Sequence, residues 1–325
     1  MQLILHLVRL FFRGSALAMV LLAAGLGVAG LGGAFSDRLD IPNHFAPVWA
    51  VLGLAGAVVA AIVSRRGERW AIIALGVLAL ASSGVQIAPE LIAASRHKPA
   101  VGPATLKVIQ FNAFAKNKDP DKALAWILEQ DADIVLLEEG GSKAWPIVAA
   151  LRRLYPFAVS CAGAHRGCDS WIFSKKQMID RGGLYEDGDR FAGAWATLAD
   201  ADGPFTVVVT HYVWPAPAGA QQAQTRYLAE VLKRFDKQAM IVGGDFNSAP
   251  WSWSLRRQDK LFGLQRRTLA LASWPASGGL RIGDAPFPLL PIDHVYAGKA
   301  WTTVSVKRGP PIGSDHLPIV VTLRR

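Results

Sequence analysis

The sequence predicts an α/β domain that follows three transmembrane helices. Three long apolar runs without charged residues fill most of the first ninety positions. After them, short apolar segments rich in β-branched residues alternate with amphipathic segments, as expected for strands and helices that share one core. Polar side chains directly follow several of these apolar segments, and polar groups grouped at strand ends are typical of a cleft that carries chemistry.

The three apolar runs cover residues 15–35, 45–63 and 70–89. Each has about the 20 residues that a helix needs to cross a bilayer. A cleaved signal peptide would account for the first run only, and a soluble helical hairpin would show charged faces, which these runs lack. We therefore expect residues 1–94 to be a transmembrane region. Residues 95–104 combine proline, glycine and charge, and are predicted to be a linker.

Basic residues predict how these helices are oriented. Arg9 and Arg13 precede the first run, and the segment SRRGER after the second run holds three arginines. By the positive-inside rule, the N-terminus and this second loop lie in the cytoplasm, so residues 95–325 lie outside it. Cys161 and Cys168 would form a disulfide in such an oxidising compartment, and the alternative is two unrelated thiols. A zinc site is disfavoured because four ligands at finger-like spacing are missing.

The positive charge is concentrated in the C-terminal part of the chain. Residues 1–94 hold six basic and four acidic residues, so +8 of the formal net charge of +10 lies on residues 95–325. This excess favours an anionic partner without identifying its class.

The α/β pattern begins at residue 106. Leu106–Phe111 alternates as a strand does, residues 122–130 are amphipathic, and Ile134–Leu137 is a buried type of strand. The remaining predicted elements are helices at 145–154 and 221–235 and strands at 158–161, 170–173, 194–198, 205–210, 240–242, 292–296, 301–306 and 319–323. Residues 251–290 are rich in loop-forming residues, although WSWSLRRQ is compatible with the start of a helix. The aromatic residues there either pack the loop or line a substrate groove: Trp251, Trp253, Trp274 and Phe287.

Polar groups stand at six strand ends or turns. They are Asn112, Glu139, His211, Asp245 with Asn247, Asp293-His294 and Asp315-His316. The segment IVGGDFN is the most informative of these, because Asp245 and Asn247 point to the same side of an extended chain. A carboxylate beside a carboxamide suits a hard cation or a phosphate ester. The alternative is an Asx-turn, in which both side chains bond their own backbone.

Taken together, the motifs FNAF, DIVLLEE, THYVWP, GGDFN, IDHVYA and SDHLPIVV resemble the endonuclease/exonuclease/phosphatase superfamily. This superfamily includes deoxyribonuclease I-like nucleases, inositol polyphosphate 5-phosphatases and neutral sphingomyelinases. The resemblance covers residues 105–325, with the motifs in family order, and bacterial members with a short multi-span N-terminus occur. It implies a four-layer α/β/β/α sandwich, which periodicity alone does not reveal. Together with the predicted spans and their orientation, it indicates a membrane-anchored protein of the bacterial inner membrane with a periplasmic catalytic domain.

The resemblance also implies roles for individual residues. Glu139 resembles the main Mg²⁺ ligand, with Asn112 near the metal or phosphate and Asp315 as a metal-linked or orienting acid. Mn²⁺ is an alternative metal. His211 resembles the histidine that contacts the scissile phosphate, Asp245 the residue that orients or deprotonates water, and Asn247 the residue that holds a phosphoryl oxygen. Asp293 and His316 resemble a carboxylate–histidine pair. Phe114 stands where nuclease relatives often carry an aspartate.

These features predict a membrane-anchored, metal-dependent phosphoesterase that hydrolyses a phosphodiester or phosphomonoester. Its expected partners are the lipid bilayer and a phosphate-ester substrate, either nucleic acid or a phospholipid or inositol phosphate, with no obligate protein partner. Either Asp245 or His316 could be the base. The alternative is a catalytically inactive, membrane-tethered binding domain of the same fold, and the replacement of an aspartate by Phe114 is the feature that favours it.

Overall fold

The structure, a computed structural model, describes residues 1–161, 168–186, 191–276 and 287–325. His165 and Arg166, between the two cysteines, lie outside the described residues, as does the 277–286 part of the predicted loop. The chain divides into two compact units. The first contains residues 1–95 and 249–256, and the second contains residues 96–248 and 257–325.

The first unit is helical. Its helices are α1 (Gln2–Leu31), the short α2 (Asp37–Asp40), α3 (Ala46–Val63) and α4 (Arg66–Arg96), with a 3₁₀ turn at Ile41–Phe45 before α3. By length and composition, three segments are candidate membrane spans: Gln2–Ala34, Asp37–Val63 and Arg66–Arg96. The predicted helices are therefore present. Helix α1 begins well before the first apolar run, α4 extends beyond the third run at both ends, and α3 matches the second run to within one residue. Helix α4 even continues through Pro89.

Small residues let these helices approach closely. A Cβ atom on Gly53 would collide with Ala79, and one on Gly76 would collide with the Gly53 carbonyl oxygen. Such contacts between small residues are how helices associate where the surrounding lipid removes the hydrophobic driving force.

The second unit contains two six-stranded mixed sheets. The strands are β1 (Leu106–Asn112), β2 (Ile134–Glu138), β3 (Phe157–Ser160), β4 (Trp171–Ser174), β5 (Met178–Glu186), β6 (Phe191–Leu198), β7 (Phe205–His211), β8 (Ile241–Asp245), β9 (Gln265–Arg266), β10 (Asp293–Ala297), β11 (Thr302–Arg308) and β12 (Ile319–Arg324). The first sheet has the order β11-β12-β1-β2-β4-β3, and the second has the order β5-β6-β7-β8-β10-β9. The helices of this part of the chain are α5 (Pro120–Glu129), α6 (Trp145–Leu154), α7 (Ala220–Leu232) and α8 (Trp253–Phe262), the last of which begins in the first unit.

Alternating residues of each strand fill two different cores. Val108 and Leu136 of the first sheet pack with Val207, Ile241 and Val295 of the second sheet, so this core lies between the sheets. Their neighbours along β1 and β2 face the opposite way and pack against α5 and α6; they include Ile109, Val135, Ile127 and Ile147. Aromatic rings connect α7 to the second sheet, where Tyr227 and Phe191 lie 5.0 Å apart. The predicted four-layer sandwich is confirmed.

Cys161 and Cys168 form a disulfide, with their Cα atoms 5.5 Å apart. The sequence left this pairing open, because close spacing along the chain permits a disulfide without requiring one. In the structure, Cys161 follows β3 and Cys168 comes shortly before β4, and these two strands pair antiparallel.

Candidate active site

The parallel strands β7 and β8 end side by side, and this alignment positions two site residues. His211 is in register with Asp245, and Asp293 at the start of the antiparallel β10 is also in register with Asp245. Gly244 allows this approach, because it has φ +157° and a Cβ atom there would collide with the Thr210 carbonyl group. Three side chains from three strands are thereby brought to one edge of the second sheet.

Asn112 connects this edge to the first sheet. It lies at the end of β1, where the parallel β2 ends beside it with Glu138. Its Nδ2 donates to Glu139 Oε1 at 3.1 Å and to Asp245 Oδ2 at 3.0 Å. One carboxamide therefore holds together two carboxylates that come from different sheets.

The two adjacent acids Glu138 and Glu139 face different environments. Glu138 is fully buried and accepts a hydrogen bond from Gln110 Nε2 at 2.9 Å. Burial, followed by the charges of Asp293 and Asp245, raises its pKa well above the usual range, so it is held as a neutral acid. Because successive strand residues point to opposite sides, and because Glu139 has the left-handed φ of +51°, Glu139 turns away from this interior.

Glu139 is the carboxylate that stays charged. Burial alone would raise its pKa, but the nearby His211 and hydrogen bonds from the Ala115 N–H and Asn112 lower it overall. The Ala115 nitrogen lies 3.1 Å from Glu139 Oε2. Of the two acids, Glu139 is thus the charged one, and its assignment as a metal ligand stays a prediction.

His316 lies between two aspartates. Its Nδ1 is 2.8 Å from Asp293 Oδ2, and its Nε2 is 3.6 Å from Asp245 Oδ2. Burial would lower the pKa of His316, but the charges of Asp293 and Asp245 and the hydrogen bond to Asp293 raise it to about 10. Asp293 also accepts a hydrogen bond from Ser273 Oγ at 2.5 Å, and its pKa is lowered despite its burial because of His316. The ring is thus held as an imidazolium.

The pKa of Asp245 is raised, whereas that of Asp293 is lowered. Burial raises the pKa of Asp245 to about 6, while the charge of His316 lowers it and the charge of Asp293 raises it. The backbone N–H of Asn247 donates to Asp245 Oδ1 at 2.8 Å. A carboxylate with a pKa near neutrality is suited to accept a proton.

Asn247 and His211 complete the edge. Asn247 adopts a left-handed φ of +48°, and its Nδ2 donates to the Tyr212 carbonyl at 2.8 Å. His211 Nε2 lies 3.8 Å from Glu139 Oε1 and 3.7 Å from Asp245 Oδ2, and 23% of its side chain is exposed. His211 is therefore the histidine of this group that a substrate can reach from solvent.

Glu139 and Asp315 are the carboxylates that the sequence predicts to hold a hard divalent cation. Burial raises the pKa of Asp315, and the charge of Glu139 raises it further against the attraction of His316, so the two carboxylates repel each other. Asp315 Oδ1 is buried, and a hydrogen bond from the Trp274 side chain lowers the pKa of Asp315 in part. A cation between the carboxylates would relieve their repulsion, and oxygen ligands are those Mg²⁺ prefers.

A second group of side chains could also hold a metal ion. Asp245, Asp293 and His316 present ligand atoms within 4.8 Å of one another. Without an ion, His316 pairs with both carboxylates, and binding of an ion to this ring would require the loss of its proton.

In the turn that contains Phe114, backbone N–H groups donate to side chains of the site. Phe114 has φ +59°, and its nitrogen donates to Asn112 Oδ1 at 3.0 Å, while the next nitrogen, that of Ala115, donates to Glu139. The carboxamide oxygen of Asn112 is consequently turned to the backbone and its nitrogen to the acids.

Four further residues belong to the site and were missed by the sequence analysis. Asp169 carries a pKa raised by burial and influenced by the charges of His211 and Glu139, so it faces the same cleft. Gln110 Nε2 donates to Asp293 Oδ1, Ser273 donates to Asp293, and Ser314 Oγ donates to the Asn112 carbonyl at 2.7 Å. Gln110 could have been found, since it lies two residues before Asn112 on the same strand. Asp169 precedes a strand, and only the antiparallel pairing of β4 with β2 explains its place.

Other residues singled out in the sequence have structural contacts. His294 is fully buried between the Ser248 carbonyl and Thr268, and burial lowers its pKa to about 4. Trp274 packs edge-on against Trp214 with ring centroids 5.7 Å apart. Trp251 is buried, whereas 61% of Phe287 is exposed.

Comparison with known proteins identifies relatives of this fold. The family model described as Endonuclease/Exonuclease/phosphatase family matches residues 109–316. A comparison with curated protein sequences gave no match.

Among solved structures, sphingomyelinase C from Streptomyces griseocarneus has a TM-score of 0.52 and 17% identity, covering 68% of this chain and 99% of its own. A mutant beta toxin from Staphylococcus aureus with bound magnesium ions has a TM-score of 0.53 and 13% identity, covering 67% and 99%. TDP2 from D. rerio, complexed with a single-strand DNA product, has a TM-score of 0.53 and 15% identity, covering 68% and 99%. At these identities the likeness concerns the fold alone.

Proposed function

Because the chain belongs to the endonuclease/exonuclease/phosphatase family, we propose that residues 105–325 form a metal-dependent phosphoesterase that hydrolyses a phosphodiester or phosphomonoester by attack of water. One observation carries this proposal. Asn112, Glu139, Asp245, Asp293 and His316 form one continuous set of contacts between two sheets, with His211 beside it. Such a set brings a candidate base, two histidines and metal-ligating oxygens to one point.

Glu139 and Asp315 would hold Mg²⁺, or Mn²⁺ in its place, and Asn112 would hold the Glu139 carboxylate in position. The ion, when bound, would neutralise charge on the phosphoryl oxygens and polarise the ester. Magnesium in the beta toxin neighbour is consistent with this choice of ion.

The protein residues divide the remaining work. Asp245 accepts the proton of the attacking water, because its pKa of about 6 leaves it ionised at neutral pH and able to take a proton. His316, kept cationic by Asp293, stabilises the negative charge that develops on the phosphate. His211 contacts the scissile phosphate from the exposed side, and Asn247 holds a phosphoryl oxygen. The choice of Asp245 as base rests on His316 having a carboxylate against each of its ring nitrogens.

The proposed location is the inner membrane, with the catalytic domain outside the cytoplasm. The three candidate spans, the arginines after the second of them and the Cys161–Cys168 disulfide all support it. The substrate is then a phosphate ester present outside the cytoplasm, either a lipid headgroup or nucleic acid. The neighbours include a sphingomyelinase and a protein with bound DNA, so both classes enter the test.

A panel of substrates tests the proposal. Purified full-length protein should hydrolyse at least one member of a set of DNA, RNA, phospholipids, inositol phosphates and small phosphodiesters in the presence of Mg²⁺. EDTA and the Asp245→Ala substitution should each abolish that turnover. If no member is turned over with Mg²⁺, Mn²⁺ or Ca²⁺ but ligand binding persists, the alternative of a catalytically inactive binding domain is favoured.

A further inference from the structure

The segment that follows the GGDFN motif belongs to the helical unit. Residues 249–256 group with residues 1–95, whereas Ser248 and Arg257 belong to the other unit. This segment includes the beginning of α8, whose first N–H groups have no partner within the helix. The acceptors for these N–H groups of α8 are therefore to be found in the helical unit.

Asp40 caps this helix from a distant part of the chain. Its Oδ1 accepts from the Trp253 N–H at 2.8 Å, and its Oδ2 accepts from the Ser254 N–H at 2.7 Å. Asp40 is only 2% exposed. Both oxygens of a buried carboxylate are thus used to bind two consecutive backbone amides at a helix N-terminus, where the helix dipole also favours a negative charge.

His44 holds the other end of the same segment. Its Nδ1 accepts from the Ala249 N–H at 3.2 Å, and its carbonyl oxygen accepts from the Trp251 indole at 3.2 Å. The Trp253 indole donates to the Gly30 carbonyl, also at 3.2 Å. The connection between α1 and α3 therefore contacts residues 249–254 at both ends.

The side-chain amides of Asn43 and Gln86 form a buried hydrogen-bond network that holds the Asp40 carboxylate in place. Asn43 Nδ2 donates to Asp40 Oδ1 at 2.8 Å and to the Gly30 carbonyl at 2.7 Å, and Gln86 of α4 donates to the Asn43 carboxamide oxygen. A side chain on Gly30 would collide with Asn43. The position of the carboxylate is therefore set by helices α1 and α4 together.

We propose that Asp40 and His44 are positioning residues for the phosphoesterase site, and this inference rests on the proposed function. Ala249 follows Asn247 by two residues, so His44 and Asp40 restrain the chain immediately after the turn that contains Asp245 and Asn247. In the proposed mechanism these two residues hold the proton acceptor and a phosphoryl oxygen contact, whose geometry determines the rate. The helical region accordingly acts on the rate through the covalent chain, in addition to its role as an anchor.

The candidate topology agrees with this contact. The Asp37–Phe45 connection and residues 249–256 touch each other, so both must lie on the same side of any membrane. Helices α3 and α4, which lie within two candidate spans, separate them along the chain. Two crossings bring residues 249–256 back to the side of the membrane on which the Asp37–Phe45 connection lies, and their contact requires this.

The test uses full-length protein in nanodiscs and four variants: Asp40→Ala, Asp40→Asn, His44→Ala and Glu68→Gln. Glu68 is the control, because it is a carboxylate of the same unit whose partner is Arg13 rather than residues 249–256. Hydrogen exchange of the peptide covering residues 249–256 reports whether the segment stays bound. Values of kcat and KM for a small soluble phosphodiester report whether the site stays aligned without involving the membrane as a substrate surface.

In Asp40→Ala, we expect faster exchange at Trp253 and Ser254 and a decrease in kcat of about 100-fold with little change in KM, since a shift of about 1 Å in a catalytic group has that effect. Asparagine keeps one acceptor oxygen but places an NH₂ donor against the other backbone N–H, so Asp40→Asn should lie between the wild type and Asp40→Ala in both exchange and kcat. His44→Ala should accelerate exchange at Ala249 and also lower kcat. Glu68→Gln should match the wild type in both measurements.

Two results would overturn the inference. The first is faster exchange in the Asp40 and His44 variants with unchanged kcat. The second is unchanged exchange at residues 249–254 in both alanine variants. If the wild-type protein hydrolyses no substrate, the proposed function is refuted, and with it the effect of Asp40 and His44 on the rate. If the wild type and the variants are equally active, only the positioning role is refuted.

Discussion

Replacing Asp293 with asparagine removes the charge that keeps His316 protonated while it preserves the shape of the side chain. In the structure, Asp293 Oδ2 lies 2.8 Å from His316 Nδ1, and both side chains are almost fully buried. In the Asp293→Asn variant, the nearest negative charge to the imidazole would be the more distant Asp245, at 3.6 Å. The pKa of His316 should therefore fall, and the neutral ring should become populated at lower pH.

The pKa of His316 gives the size of the effect. Its increase from 6.5 to about 10 corresponds to about 5 kcal/mol in favour of the protonated ring. Asp293 is the largest of the charges that raise this pKa, and it also supplies the hydrogen bond. If it contributes more than half, its loss removes about 3 kcal/mol of stabilisation of the imidazolium. If this loss of stabilisation raises the energy of the transition state by the same amount, kcat decreases by roughly 100-fold.

The assay is the pH dependence of kcat for a small phosphodiester at saturating Mg²⁺. The ratio of wild-type to Asp293→Asn activity should increase from about pH 6 to about pH 9, because the variant ring loses its proton first. Asp259→Asn is the matched control. Asp259 accepts hydrogen bonds from Tyr296 and Arg266, neither of which is a proposed site residue.

An Asp293→Asn enzyme with kcat close to that of the wild type and the same pH profile would refute this account of His316. A similar decrease in the Asp259→Asn control would show that general destabilisation, rather than the charge on His316, lowers the rate. Circular dichroism at each pH separates these two outcomes.

Three further predictions concern other parts of the molecule. Glu138 is neutral in the folded protein and ionised in the unfolded chain at neutral pH. Its raised pKa therefore destabilises the folded state above the pKa of the unfolded chain, and the loss of stability grows as pH rises. The Glu138→Gln variant of the metal-free protein should be more stable than the wild type, by a difference that grows by about 1.4 kcal/mol per pH unit between about pH 5 and the folded pKa; a difference that does not change with pH in denaturant titrations would contradict this. Glu139→Gln should raise the Mg²⁺ concentration for half-maximal activity by at least about 10-fold, since even residues behind metal ligands have effects of that size; an unchanged metal titration would remove Glu139 from the ligand set. A C-terminal reporter that functions only outside the cytoplasm should be active, and activity of a cytoplasmic reporter there would refute the proposed topology.

The sequence was informative wherever a polar residue follows an apolar strand. His211 and Asp245 were both expected at a cleft because each follows an apolar strand, and the structure adds that these strands are parallel and place the two residues in register. Asn112 follows the same rule in the other sheet. Periodicity did not predict that the strand ends of the two sheets lie side by side. Alternation along a strand shows that one face is buried, but it does not show which sheet covers that face. That step came from the family resemblance.

The residues that the sequence analysis missed depend on long-range pairing. Asp169 comes before β4, and it reaches the cleft only because β4 runs antiparallel to β2. Ser273 reaches Asp293 from a loop without periodicity. The contacts of Asp40 with Trp253 and Ser254 join residues 213 and 214 positions apart, and a short polar segment between two apolar runs gives no local signal of such a partner.

In the proposed mechanism, water attacks phosphorus with Asp245 as the proton acceptor. The most direct test is hydrolysis of the best substrate from the panel in ¹⁸O-labelled water with Mg²⁺, followed by mass spectrometry of the products, for wild type and Asp245→Asn. We expect one ¹⁸O atom in the phosphate product, none in the alcohol, and loss of turnover in the variant and after chelation of the metal. Label in the alcohol, or equal turnover by Asp245→Asn, would contradict it.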